Sequence, residues 1–106
     1  IAMDLDNMKL YFSKNGTFQD SGDPTSGATG TGAIDITVAV ASTIDQAYFV
    51  CQGSAGASTS RFDWNFGSPM YSISSGNSDA NGYGNFEFSV PSGYYAWNSK
   101  NLSEFG

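Results

Sequence analysis

In residues 1–19, apolar and polar positions alternate with a period of two: Ile1, Met3 and Leu5 against Ala2, Asp4 and Asp6, then Met8, Leu10 and Phe12 against Lys9, Tyr11 and Ser13. Successive side chains of a strand point to opposite faces, so each run has one apolar face. A turn at Asp6-Asn7 separates the runs. Asn15-Gly16, the pair that most readily accepts positive φ, reverses the chain again into Thr17-Phe18. The pattern predicts a three-stranded meander whose apolar face needs a second layer to leave water.

The rest of the chain supplies candidates for that layer. Residues 33–41, AIDITVAVA, alternate cleanly, while 46–52, QAYFVCQ, are continuously apolar, as expected of a central strand covered on both sides. Residues 61–66, RFDWNF, set Phe62, Trp64 and Phe66 on one face, which reads as a core stripe in preference to a carbohydrate platform. Short strands are expected at 86–90 and 94–97, with an irregular closing tail over 98–106. Between these runs, 20–32, 53–60 and 72–84 are Gly/Ser-rich loops. Asp20 and Asp23 in the first are read as turn residues that bond their own backbone, in preference to cation ligands. Asn77, Asp79 and Asn81 precede Gly82 at the spacing of the first half of a calcium loop, but the twelfth position is Phe88 where a bidentate glutamate is needed. No metal or cofactor is therefore expected.

Composition agrees with β structure: 13 Gly, 15% aromatic and only 13% charged residues, with no apolar run at helical spacing. Net charge is −6, and the cations are Lys9, Lys14, Arg61 and Lys100. Phosphate neutralisation needs clustered cations, which makes nucleic acid and anionic membranes poor partners. Membrane insertion is not expected either, since no run approaches the ~20 apolar residues of a spanning helix. Histidine is absent and Cys51 is the single cysteine, so nucleophilic triads and zinc sites have no raw material. Cys51 has no internal disulfide partner and reads as a small buried hydrophobe; a free thiol fits folding in a cytosol, including that of a virion part assembled inside a host cell. Hydrolysis by paired acids would draw on Asp4 and Asp6 with Glu87 or Asp63. Strand alternation already explains these acids as solvated faces, so no enzyme is expected.

Residues 3–16, MDLDNMKLYFSKNG, resemble the SPRY-domain pattern of an aspartate-bearing strand, a turn, and a strand ending in Lys-Asn-Gly. Asn65-Phe66-Gly67 resembles the family's late Asn-Phe-Gly strand end. The stretch from Gly82-Tyr83-Gly84-Asn85-Phe86 through Pro91-Ser92-Gly93-Tyr94-Tyr95-Ala96 to Lys100-Asn101-Leu102 resembles the ending of SPRY domains of bacteriophage structural proteins. The resemblance covers residues 1–106 as one domain. It implies an all-β, antiparallel β-sandwich of the concanavalin-like jelly-roll type, here the carboxy-terminal part of a SPRY domain without its amino-terminal strands. Such an incomplete fragment should expose unpaired edges and part of a core.

By the same resemblance the chain is a non-enzymatic part of a phage virion, a tail fibre, spike, capsid decoration or appendage. It would mediate host-surface adhesion to a glycan or protein, or protein binding to other virion proteins, as a homo-oligomer or multi-copy assembly. Two alternatives stand beside it: an intracellular peptide-binding adaptor, and a lectin-like accessory module of a hydrolase. Loops 20–33, 53–60 and 74–84 are candidate binding loops by position, and no binding residue is carried over from the family.

Overall fold

The computed structural model describes residues 1–37, 48, 50–53, 55, 56 and 59–106. The expected alternation begins as predicted. Strands β1 (Ala2–Asp4) and β2 (Lys9–Tyr11) form an antiparallel hairpin in which Ala2 faces Tyr11, Met3 faces Leu10 and Asp4 faces Lys9. Asp4 closes the intervening turn by accepting from the backbone N–H and the side-chain amide of Asn7, at 2.9 and 2.8 Å. Strands β3 (Ser13–Lys14) and β4 (Thr17–Phe18) form a second hairpin around Asn15 and Gly16, whose φ values of 51° and 81° belong to a primed turn.

The meander itself differs from the expectation. Among the described residues, Thr17-Phe18 pairs with β3 and not with the first ladder, because the chain leaves that ladder at Phe12, whose carbonyl accepts from Gln19 N at 2.9 Å. The free edge of β2 is taken instead by β5 (Ile34–Asp35), giving the order β1-β2-β5 with Leu10 opposite Ile34. Lys9 and Asp35, also opposite each other, are bridged at 2.9 Å. Residues 38–41 of the expected third run, and residues 46, 47 and 49 of the fourth, lie outside the described residues.

The buried face of the sheet is also the opposite of the one the alternation picks. Ala2 and Tyr11 oppose each other and are buried, Tyr11 to 1% exposure. Loop 20–32 covers them: it contains two 3-10 segments, Gln19–Ser21 and Pro24–Thr29, and the second packs on β1 and sets the Ser26 hydroxyl 3.4 Å from that of Tyr11. Small Ala2 lets this loop approach closely, and the Tyr11 hydroxyl finds a polar partner within it. The Asx turn expected of Asp23 is present, its carboxylate accepting from the N–H and hydroxyl of Thr25 at 2.9 and 2.6 Å. Ile1, Leu5, Met8, Phe12 and Ile34 remain exposed.

Among the described residues, ladders beyond these hairpins are sparse. Residues 61–66, 86–90 and 94–97 run without forming strands, apart from a single bridge between Asn77 and Phe86. The tail expected to be irregular contains helix α1 (Ser99–Phe105), capped by the Asn98 side chain, which accepts from Lys100 N and Asn101 N. Two further expectations are corrected. Phe62, Trp64 and Phe66 are exposed, because no second layer among the described residues lies over them, and Cys51 is exposed as well. Among the described residues, the buried apolar ones are Ala2, Tyr11 and Ala96, joined by Pro24, Asp79 and Asn101. The radius of gyration, 15.3 Å, exceeds the roughly 13 Å of a compact domain of this length. The described residues thus form antiparallel sheets with little helix around a small core.

Candidate docking surface

Residue Asp79 organises the carboxy-terminal half. One carboxylate oxygen accepts from Asn81 N and Tyr83 N at 3.0 and 2.9 Å, the other from Ala96 N and the Asn101 amide at 2.8 and 2.7 Å. Burial by itself would raise the carboxyl pKa; the hydrogen bonds from Ala96, Asn101, Tyr83 and Asn81 outweigh it and hold the group below the usual range. With four donors in place the carboxylate has no lone pair left for a cation. Its neighbours at calcium-loop spacing are also engaged. The Asn77 amide donates to the carbonyls of Phe86 and Glu87, and that of Asn81 to Asn101 Oδ1 at 2.8 Å.

Asn101 completes the bracket by donating to Ala96 O at 2.8 Å. A parallel tie runs from Asn65, which accepts from Gly67 N and donates to Asn85 O, both at 2.8 Å. Gly67, at φ 115°, sits where a Cβ would lie 2.9 Å from the Asn98 amide and 3.1 Å from Gly84 Cα. Side-chain bonds and close backbone approach therefore replace the missing ladder in holding 65–67, 79–85 and 96–101 together.

This bracket sets the direction of 94–97. Ala96 is buried and Tyr94 turns inward, its hydroxyl donating to Pro24 O at 2.9 Å, which leaves Tyr95 and Trp97 pointing out. Trp64 stacks on Phe66 at 6.0 Å between ring centroids and an interplanar angle of 6°; Phe66 meets Trp97 edge-on at 5.8 Å and 89°. Trp64 and Phe66 are each 41% exposed and Trp97 is 59% exposed. Trp97 lines two grooves. One, of about 510 Å³, is shared with Tyr48, Val50 and Phe66; the other, of about 420 Å³, lies toward Tyr95, Leu102 and Phe105. None of the described residues that line either groove carries a charged side chain.

The acids considered for hydrolysis go elsewhere. Asp4 holds the first turn, Asp63 pairs with Arg61 at 2.9 Å, and Glu87 accepts from Ser74 N and the Ser75 hydroxyl at 2.7 and 3.1 Å, while Asp6 is exposed. Of the candidate loops, 20–33 is spent on covering Ala2 and Tyr11, and 74–84 is pinned through Asp79 and Glu87. The described residues of 53–60 are exposed. Sequence reasoning missed Trp97 as a surface residue, although the small Ala96 between Tyr95 and Trp97 marks which side of the run faces in. No family model, curated protein or solved structure matches the chain.

Proposed function

We propose that this chain is a non-enzymatic, SPRY-like module of a phage virion structural protein, and that the aromatic surface around Trp97 docks it onto a neighbouring virion protein. The observation that carries the docking role is the cluster of half-exposed rings beside two grooves whose described lining has no charged side chain; contiguous apolar surface of this kind marks interaction sites in soluble proteins. The edge-on meeting of Phe66 and Trp97 gives the rings no common plane, which favours a packed protein partner over a sugar laid flat on a platform. The virion assignment rests on the resemblance of residues 3–16, 65–67 and 82–102 to phage-type SPRY domains, and the sandwich assignment on the same resemblance together with the antiparallel hairpins.

The test is to produce particles carrying Trp97→Glu and to count copies of the protein per particle by quantitative mass spectrometry, with host adsorption measured in parallel. Incorporation should fall at least tenfold. Full incorporation with lost adsorption would turn the reading toward host-surface adhesion, and full incorporation with normal adsorption would overturn both.

A further inference from the structure

We infer that the occupant of the aromatic surface is a second copy of this chain, packed across a two-fold axis near Trp97. The inference rests on the docking reading above and names its partner. Three observations carry it. The first is area. Trp64, Phe66 and Trp97 are joined through the grooves to Tyr95 and Phe105, which are 55% and 64% exposed, and to the exposed Val50 and Leu102. Since an aromatic side chain buries about 150–250 Å², rings exposed to this degree, with the two aliphatic side chains, offer roughly 600 Å² of apolar surface. That approaches the ~800 Å² that each partner contributes to a stable interface, and reaches the upper end of what a monomer normally leaves open.

The second is shape. Trp97 lines both grooves and is more than half exposed; an exposed ring walling two grooves can be self-complementary, each copy setting its ring into the other's groove under a two-fold rotation, the isologous arrangement commonest among soluble oligomers. The third is charge. Each copy carries −6, so a uniformly charged contact would be repelled, but the described residues that line the two grooves include no charged side chain. What remains is repulsion between the flanks of the two copies, which salt screens.

Sedimentation equilibrium on the purified protein, from low micromolar to a few hundred micromolar, tests this. The expected result is a monomer–dimer equilibrium that tightens as salt rises from 20 to 500 mM. Trp97→Glu should weaken it at least about 30-fold, the effect of removing an interface hot spot, with an unchanged far-ultraviolet circular dichroism spectrum. Ile34→Glu, on the open face of the β1-β2-β5 sheet, should leave the dimer intact. A monomer at every concentration and salt would overturn the inference, as would a dimer abolished by Ile34→Glu and indifferent to Trp97→Glu. A monomer that still enters particles through Trp97 would remove the second copy and keep the docking reading. A Trp97-dependent dimer whose Trp97→Glu variant enters particles normally would keep the second copy and remove that reading.

Discussion

Replacing Asp79 with alanine strands two buried donors, the Ala96 N–H and the Asn101 amide, and a stranded buried donor costs about 1–3 kcal/mol. The expected loss is about 2–6 kcal/mol, read as a lower urea midpoint with an unchanged slope. The same residue gives the fold an acid limb. Because its native pKa lies below that of the unfolded chain, its stabilisation is complete above about pH 4, the ordinary aspartate value, and is lost as pH falls through the lower native value. Asp79→Asn should flatten that limb in denaturation midpoints measured between pH 5 and 2. Tyr94 gives the matching alkaline limb. Burial, followed by the nearby Asp4, Tyr11 and Asp23, pushes its hydroxyl up to about 12. A raised native value means that its stabilisation is intact below the ordinary tyrosine pKa of about 10 and fades as pH rises through 12. In Tyr94→Phe, denaturation midpoints should fall less steeply between pH 10 and 12 than in the parent.

At the scale of elements, what could be read from the sequence was local. Asn15-Gly16 demanded a primed turn, and the turn is there, with a Cβ at Gly16 destined to meet the Phe88 ring at 2.6 Å. Gly16→Ala should therefore cost about 1–3 kcal/mol, the range for a residue forced into an unfavourable backbone region, measurable as a lower melting temperature. The hairpin of β1 and β2 was equally legible, because its period-two alternation and Asp4-Asn7 turn are properties of neighbours. Which of its faces is buried was not, since that depends on loop 20–32 returning to cover Ala2 and Tyr11, and a Gly/Ser-rich loop carries no pattern announcing where it packs. Helix α1 escaped for a related reason. At seven residues it shows too little periodicity to detect, and it is held by the Asn98 cap and by the bonds of Asn101 to Asp79 and Ala96. The aromatic stripe at 61–66 was visible as a stripe, but alternation shows that residues share a face and not whether anything covers it.

At the scale of the whole molecule, among the described residues, apolar side chains meet water on the docking surface, on the face of the β1-β2-β5 sheet that carries Ile34, and at Met70, Tyr71 and Phe88; the two grooves described above lie beside the docking surface. The hydrogen bonds described above close within residues 1–37 or within residues 61–106, with one exception: Tyr94 to Pro24, which joins positions 70 apart in sequence. Where the described hydrogen bonds gather into two networks, each local in sequence, each network opens as its own cooperative unit. Under native conditions, amide hydrogen exchange should resolve two protection levels, one shared by the β1-β2 ladder and another by the amides of Tyr83, Ala96 and Asn101. Phenylalanine at position 94 should pull those levels further apart, leaving the amino-terminal hairpins to fray while the carboxy-terminal bracket keeps its protons.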